Sequence, residues 1–462
     1  MARVEKIAAV LGAACLVTIA ACSGTDGISD FNSGAGNGDK AKDDSDPSGK
    51  LGGGKPTGTP DSAACSGGAT TSLTGKVFDP SGTVPLYNAI VYVPSTELEP
   101  FAEGVTCDKC GTVPSGKPFA TAITDAKGDF VLKNVPAGVE IPLVVQIGRW
   151  RRKVTIPAVK QCTTTTVAAD STRLPRTKAE GEIPKIAIAT GGADSLECFV
   201  RKLGIETEMT NPGSDGRVHI YQGKHTGEDG SRIDGSTPAA TALWNDASKL
   251  KSYDIVILSC EGSENNDTKS AAARANIKTY LDAGGRLFAS HYHYTWFKNG
   301  VSPLTSTAKW SSDSGSDGTR DVSVDTSFAK GQALADWLGA VGATKAPAVV
   351  QMTDLKTSMS SVPGPGASPD TSRRWLHTGG ATKFYSFNTP IGKPVDQQCG
   401  RGVFTDIHVS SGDASGGTFP QNCTTKGFTA QEKALLFLMM DLASCIQDDA
   451  KAPAPPPADP VK

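Results

Sequence analysis

The period of the hydrophobic pattern changes along the chain, near residue 180. Before that point, apolar and polar residues alternate in short runs, as in SLTGKVF (72–78) and NAIVYV (88–93). Further short runs of this kind follow at 130–132, 141–147 and 154–156. Turn residues separate the runs, and a period of two indicates strands that bury one face. We therefore predict an all-β sandwich over residues 69–175.

After residue 183 the strands become continuously apolar, and helical patterns alternate with them. The runs are IPKIAIAT (183–190), YDIVILS (253–259) and the run that begins at 286. A helix is predicted over 269–283, and Thr429 with Glu432 forms a capping signature for the last helix. This order predicts a parallel sheet covered on both faces, an α/β flavodoxin-like domain over residues 183–448.

The N-terminus has the features of a secretory signal. Arg3 and Lys6 precede an apolar run over 7–21 that is short for a membrane-spanning helix. The sequence IAAC, ending at Cys22, resembles the lipobox of bacterial lipoproteins, in which the cysteine is lipidated. The resemblance implies a signal peptide over residues 1–22, and Ser23 after it implies sorting to the outer membrane of the bacterial envelope.

Low-complexity segments lie at both ends of the predicted domains. Residues 23–68 are rich in Gly, Ser, Asp, Lys and Pro, and 449–462 are charged and Pro-rich. Such segments bury too little apolar surface to fold, so we predict a disordered tether and a disordered tail. A lipidated cysteine followed by a tether describes a multidomain protein held at a membrane surface.

Charge and cysteine content narrow the function classes. The formal net charge of −2 over 462 residues gives no electrostatic basis for binding nucleic acid. Eleven cysteines are present, and nine remain after Cys15 and Cys22 are set aside. In an oxidising envelope most should form disulfides, and one is left over. We expect the pairs Cys65–Cys162, Cys107–Cys110, Cys198–Cys260 and Cys399–Cys423.

Two family resemblances follow from these motifs. The residues GKVFDPSG and TDAKGDFVLKNVPAG resemble the carboxypeptidase-regulatory-like, transthyretin-like sandwich. The residues YDIVILSCEG, IKTYLDAGGRLFASHY and GRGVFTDIHVSS resemble class I glutamine amidotransferases, particularly the trehalose-utilisation-like branch. His408 falls at the position of that family's catalytic histidine. Its nucleophilic cysteine is missing after Ala289, which implies a degenerate domain without glutaminase activity.

The stretch SHYHYTWF (290–297) carries the candidate chemistry of the second domain. Ligands of open parallel sheets bind beyond the carboxyl ends of the strands. If the strand ends lie close together, a zinc site or other divalent metal site could form from His291, His293, Asp406 and His408. Alternatively, Ser290 and His408 could act on an ester, or the stretch could bind a ligand on Tyr292, Tyr294 and Trp296. A purely structural role for these polar strand ends also stays open.

The sandwich offers one further candidate, the cationic stretch RWRRK (149–153). Trp150 and Arg151 could bind an anionic glycan or lipid headgroup, or the charges could protect an exposed strand edge. We expect a non-catalytic envelope lipoprotein that has a structural role or binds a saccharide or peptide. The alternative is a hydrolase or metal-dependent enzyme that uses the histidine and aspartate cluster.

Overall fold

The first folded part of the chain consists of two antiparallel-rich sheets. A computed structural model describes residues 65–224, 229–311, 315–363, 371–409, 413–424 and 427–459. Seven strands build the first part: β1 (Ser72–Lys76), β2 (Ile90–Pro94), β3 (Pro118–Ile123), β4 (Asp129–Lys133), β5 (Gly138–Ile147), β6 (Trp150–Val159) and β7 (Thr164–Thr166). One sheet has the order β4-β1-β7 and the other has the order β3-β2-β5-β6.

The two sheets form a β-sandwich because each turns its apolar face toward the other. The strand β4 shows the alternation most clearly, since Phe130 and Leu132 are buried while their neighbours are exposed. These side chains join Leu73 of β1, Val91 of β2 and Leu143 of β5 in one hydrophobic core. The period of two in the sequence therefore corresponds to one buried face in β3 and β4, whereas β2 is buried on both faces.

The second part contains the remaining strands and the helices. Its strands are β8 (Ile186–Ala189), β9 (Met209–Thr210), β10 (Val218–Tyr221), β11 (Ile255–Leu258), β12 (Arg286–Ser290), β13 (Lys309–Trp310), β14 (Ser316–Val324), β15 (Val349–Lys356), β16 (Met359–Ser361), β17 (Arg373–Thr378), β18 (Ala381–Thr389) and β19 (Gly400–Thr405). Its helices are α1 (Leu196–Arg201), α2 (Thr241–Trp244), α3 (Ala247–Lys251), α4 (Ala271–Asp282), α5 (Thr295–Lys298), α6 (Ala329–Ala340) and α7 (Ala430–Ala443). The capping box predicted at Thr429 and Glu432 is present at the start of α7.

Ten of these strands form a single mixed sheet in the order β15-β14-β17-β18-β19-β12-β11-β8-β10-β9. The strands from β9 to β19 in this order are parallel to their neighbours, and the strands from β18 to β15 are antiparallel. The antiparallel half comes largely from residues 299–380, a segment to which the sequence assigned no strands. The sheet is therefore mixed rather than purely parallel.

Both faces of the parallel half are buried, as continuous apolar strands require. Ile255 and Ile257 of β11 pack in the core that includes α7 and the sandwich. Val256 and Leu258 of the same strand pack on the opposite face with residues of α2, α3 and α4. Each strand therefore contributes alternate side chains to two cores.

The sandwich and the mixed sheet belong to one compact unit, Lys55–Lys462. The indole of Trp337 donates to the carbonyl of Pro85 at 2.7 Å, and the ring of Tyr87 stacks on Phe437 at 5.5 Å. Among the described residues, no helix is long and apolar enough to cross a membrane. The predicted signal peptide, Cys22 and nearly all of the tether lie outside the described residues.

The described part of the C-terminal tail lies against the fold, whereas the sequence predicted a disordered end. Asp449 forms ion pairs with Arg401 at 2.8 Å and Lys330 at 3.2 Å. Further along, the backbone amide of Asp459 donates to the carbonyl of Pro118 at 3.0 Å. Ion pairing and strand-edge contacts hold this segment even though its composition is poor in apolar residues.

Candidate functional site

The candidate site lies where four neighbouring strands of the mixed sheet end. The strands β8, β11, β12 and β19 are parallel, so their carboxyl ends lie at one edge of the sheet. Cys260 follows β11 by two residues, His291 follows β12 directly, and His408 follows β19 by three residues. The fold therefore brings one thiol and two imidazoles together from distant parts of the chain.

These three side chains form a close cluster. One donor atom from each lies within 4.8 Å of the donor atoms of the other two. Cys260 Sγ is 3.3 Å from His291 Nδ1, and the ring centroids of His291 and His408 are 5.2 Å apart. The exposed fractions are 0% for Cys260, 3% for His291 and 2% for His408. The cluster is therefore a buried thiol–imidazole centre.

Asp354 orients His408 within the centre. Its Oδ2 atom lies 3.1 Å from His408 Nδ1, and the side chain of Gln431 donates to the carbonyl of His408. The other ring nitrogen, His408 Nε2, is buried and has no hydrogen-bond partner among the described residues. His408 is thus fixed at one nitrogen, and a metal ion at the second must displace a proton, because the pKa of His408 is about 10.

Asp194 connects three of the four strand ends. It lies in the turn after β8, where it accepts a hydrogen bond from Ser290 Oγ at 2.7 Å. Its other carboxylate oxygen accepts a hydrogen bond from the backbone amide of Val409 at 3.0 Å. Burial raises the pKa of Asp194, although the positive charge of His408 opposes that effect. Asp194 therefore positions the residues next to both histidines of the centre.

The electrostatic surroundings of the centre favour a cation. Burial alone lowers the pKa of His408, but the negative charge of Asp194 and the interactions of the ring with Cys260 and Asp354 outweigh burial. The net result is a pKa of about 10 for His408. Acidic groups therefore surround this side chain closely enough to hold a positive charge in the interior.

Two residues at the centre have unusual backbone conformations. His291 has a φ of 38° and Asp354 has a φ of 53°. Residues other than glycine rarely adopt this left-handed region, because their Cβ atoms crowd the backbone. Such conformations concentrate at functional sites, where the surrounding structure maintains them. One strained residue supplies a ring of the cluster, and the other supplies the carboxylate that orients the second ring.

The structure brings together two of the four residues of the predicted metal set. His291 and His408 meet, but His293 points away, with Nε2 2.8 Å from the carbonyl of Ser259 and Nδ1 accepting from Trp296 at 2.9 Å. The prediction assumed that the strand continued, whereas residues His291–Tyr294 form a 3-10 turn. Side chains two positions apart do not share a side in such a turn.

Asp406 does not reach the histidines either. It accepts hydrogen bonds from the hydroxyl of Ser358 and from the amide of Met359, and burial raises its pKa to about 6. The strand β19 ends at Thr405, so the alternation expected for Asp406 and His408 does not apply. Its role in the structure is to hold the segment that contains β16.

The predicted ester and stacking sites are not formed as expected. Ser290 donates its hydroxyl proton to Asp194 rather than to His408. Trp296 is fully buried, and Tyr294 is 5% exposed and donates to Glu264 at 2.5 Å. Tyr292 is half-buried, and its ring centroid lies 4.2 Å from that of His291. These aromatic residues pack around the cluster instead of forming an open stacking surface.

Trp150 and Arg151 of the sandwich are also unavailable to a glycan or headgroup. Trp150 is fully buried, and Arg151 is 3% exposed. Arg151 pairs with Glu182, and its guanidinium lies 4.2 Å from the ring centroid of Phe101. These contacts attach β6 to the segment that leads into the mixed sheet.

Three of the four expected disulfide pairs are wrong. Cys65–Cys162 is confirmed. The other observed disulfides are Cys107–Cys399, Cys110–Cys445 and Cys198–Cys423. The wrong pairs joined cysteines that are closer in sequence, whereas the fold joins segments more than 200 residues apart. The unpaired cysteine among the described residues is Cys260, which is buried.

Cys260 and Asp354 belong to the centre, but neither was predicted from the sequence as a site residue. Cys260 could have been found, because it directly follows the buried strand YDIVILS and so lies at the same sheet edge as the histidines. It was assigned to a disulfide instead. Asp354 gave no comparable signal, since it lies in β15, for which no strand was predicted.

Comparisons with known proteins leave the family of this chain open. No protein-family model matches the sequence, and no curated protein matches it. Two solved structures with partial similarity are interface mutants of a type II cohesin–X-dockerin complex from Acetivibrio cellulolyticus. They are 14% and 13% identical, and each match covers 27% of this chain and 79% or 78% of the other. Both TM-scores are 0.16, so this similarity carries no argument about fold or function.

Proposed function

We propose that this protein is a membrane-anchored envelope protein that binds a transition-metal ion through Cys260, His291 and His408. The observation that carries the proposal is the convergence of three buried donor atoms within 4.8 Å. A thiolate with two imidazoles suits zinc or copper, whereas magnesium and calcium prefer oxygen ligands. The donor set therefore selects the class of metal.

The separations of the donors are compatible with a tetrahedral site. With Zn–S near 2.3 Å and Zn–N near 2.0–2.1 Å, neighbouring ligand atoms lie about 3.3–3.6 Å apart. Cys260 Sγ and His291 Nδ1 already lie 3.3 Å apart. The donor atoms are no more than 4.8 Å apart, so metal binding requires a contraction of at most about 1.5 Å.

The surroundings of His408 support the same proposal. Histidine ligands commonly place a carboxylate on the ring nitrogen that faces away from the metal, as Asp354 does here. The buried Nε2 atom has no hydrogen-bond partner among the described residues, and an unpaired buried polar atom costs about 1–3 kcal/mol. A metal ion bound at Nε2 removes that cost.

Burial of the donors favours a non-catalytic role for the metal. Three protein ligands leave one position of a tetrahedral ion for water, which is the arrangement of hydrolytic zinc enzymes. However, the three donor residues are at most 3% exposed, so a saccharide or peptide cannot reach them in this conformation. A hydrolase is the second candidate, and the vacant coordination position is the feature that favours it.

Metal analysis tests the proposal. The chain is purified without chelators, equilibrated with zinc, dialysed and analysed by elemental mass spectrometry. We expect one equivalent in the natural protein and loss of that equivalent in Cys260→Ser and His291→Ala. The control is His377→Ala, because His377 is a histidine of β17 outside the cluster. Substoichiometric zinc in the natural protein, or full retention by both variants, contradicts the proposal.

The anchoring part of the proposal rests on the sequence around Cys22. Its support is the IAAC motif together with the low-complexity segment that follows it. We expect Cys22→Ala to move the protein from the membrane fraction to the soluble fraction, with Cys15→Ala as the matched control. Unchanged membrane retention of Cys22→Ala contradicts lipid anchoring.

We also propose that the second part is a flavodoxin-like, degenerate amidotransferase-like domain and that the sandwich is carboxypeptidase-regulatory-like. The six-strand parallel run supports the first assignment, as does the strained residue after β12, where amidotransferases place their nucleophile. Here that residue is His291. An experimental structure tests the assignment, and a core strand order different from that of amidotransferases contradicts it.

A further inference from the structure

Two of the four disulfides among the described residues share one short loop of the sandwich. Cys107 bridges to Cys399 at the start of β19, and Cys110 bridges to Cys445 after the end of α7. Asp108 and Lys109 alone separate the two loop cysteines. The loop thus has the CxxC spacing of thiol–disulfide exchange proteins. However, its two cysteines are bonded to Cys399 and Cys445, outside the loop, and not to each other.

The bridges are accessible to an attacking thiol. Cys107 is exposed, and Cys110, Cys399 and Cys445 are half-buried. In contrast, Cys198 of the Cys198–Cys423 bridge is 1% exposed. Exchange requires the attacking thiolate to approach a disulfide sulfur. Accessibility therefore separates these two bridges from Cys198, but not from its half-buried partner Cys423 or from the half-buried Cys65–Cys162 bridge.

Cationic side chains contact the backbone of the two segments that carry the outward partners. The buried guanidinium of Arg286 donates to the carbonyl of Cys399 at 2.7 Å and to the carbonyl of Ser444 at 3.2 Å. Lys109, inside the CxxC loop, donates to the carbonyl of Val395 at 3.0 Å. Nearby cations favour thiolates over thiols, which makes the sulfurs better leaving groups and better nucleophiles.

We propose that the Cys107–Cys110 loop is a thiol–disulfide exchange site that accepts electrons from a dithiol reductant. The reductant cleaves Cys110–Cys445 by a two-electron transfer and is itself oxidised to a disulfide. The Cys110 thiolate then attacks Cys107 Sγ, so that the Cys107–Cys110 bond forms and the Cys107–Cys399 bond breaks. Cys399 leaves with the electron pair as a thiolate and takes a proton from solvent.

Proximity makes the second step favourable. The two loop cysteines are three residues apart, and closing so short a loop gives a high effective concentration. A disulfide needs a Cα–Cα separation of about 4.4–6.8 Å, so the loop must form a tight turn once Cys445 is released. The product frees Cys399 and Cys445 together and removes both covalent links between the loop and the segments next to β19 and α7.

Substitution of one partner tests the exchange without any reductant. In full-length Cys445→Ser, acid quenching, maleimide labelling and unreduced peptide mapping should find Cys107–Cys110 bonded and Cys399 labelled. In Cys399→Ser the same product should form, with the label on Cys445. The control is Cys423→Ser, for which we expect a thiol on Cys198 and three unchanged disulfides. Retention of Cys107–Cys399 with the label on Cys110 overturns the proposal.

The natural protein provides a second test if either variant fails to fold. Among the species that dithiothreitol produces with Cys65–Cys162 and Cys198–Cys423 intact, the singly reduced one should be labelled on Cys399 and Cys445. Labels on Cys110 and Cys445, or on Cys107 and Cys399, mean that a bridge opens without exchange. Either of those results contradicts the proposed site.

Discussion

Substitution of Glu197 by glutamine should remove a strong pH dependence of folding stability. Glu197 lies in the first turn of α1 and is 0% exposed. No group among the described residues donates a hydrogen bond to either carboxylate oxygen. The nearby hydroxyl of Ser231 donates to the carbonyl of Gly416 at 3.0 Å and accepts from Asn422 at 2.8 Å. Ser231 therefore has no proton left for a carboxylate.

The size of the effect follows from the pKa of Glu197. Burial raises this pKa from 4.5 to about 7. At ~1.4 kcal/mol per pH unit, the difference corresponds to about 3 kcal/mol of folding free energy. Because the folded-state pKa exceeds the unfolded-state pKa, this stabilisation is complete below pH 4.5. It is lost as the pH rises through about 7.

Equilibrium urea denaturation with intact disulfides measures the effect at acidic and mildly alkaline pH. Glutamine imitates the protonated acid, so Glu197→Gln should lose the pH dependence that the natural protein shows. From acidic to mildly alkaline pH, the contribution of residue 197 should lower the free energy of unfolding of the natural protein by about 3 kcal/mol. The variant should not show this decrease. Glu206→Gln, at an exposed position just after α1, is the control. If the difference in unfolding free energy between the natural protein and Glu197→Gln does not change with pH, Glu197 is not the source of the pH dependence.

Two further substitutions test the surroundings of the centre. Asp354→Asn should weaken zinc binding about 10–100-fold, because the carboxylate that orients His408 is lost. Competition with a chromophoric chelator measures this loss, and unchanged affinity argues against the assigned role. Lys269→Met should lower the free energy of unfolding by about 3–5 kcal/mol, since it leaves Glu261 without the buried ion pair at 2.5 Å. Denaturation of Lys269→Met and of Lys269→Met/Glu261→Gln checks this, and no recovery in the double variant contradicts the explanation.

Local elements of the fold could be predicted because they follow from periodicity and capping. The strand beginning at Arg286 and the helix Ala271–Asp282 lie where the apolar pattern indicates. The direction of the strand-end histidines could not be predicted, because one 3-10 turn moves His293 to the opposite side. Whether a strand continues or turns at such a position depends on packing with Trp296 and other distant residues.

Long-range connections were beyond the sequence for a different reason. The three missed disulfides join residues 225 to 335 positions apart, and spacing along the chain contains no information about such pairs. The antiparallel strands of residues 299–380 extend the sheet and bring Asp354 to His408. Their irregular pairing, with several register shifts, gives a weak sequence pattern. The sequence therefore predicted the strand ends at which the centre lies, but it did not predict the carboxylate that orients His408.

Anomalous diffraction from crystals of the zinc-loaded protein would locate the bound metal. We expect one strong peak at the zinc edge, bonded to Cys260 Sγ at about 2.3 Å and to ring nitrogens of His291 and His408 at about 2.0–2.1 Å. His408 should bind the zinc ion through Nε2, while Nδ1 keeps its hydrogen bond with Asp354. A zinc ion bound elsewhere while these three side chains remain unliganded would contradict the account.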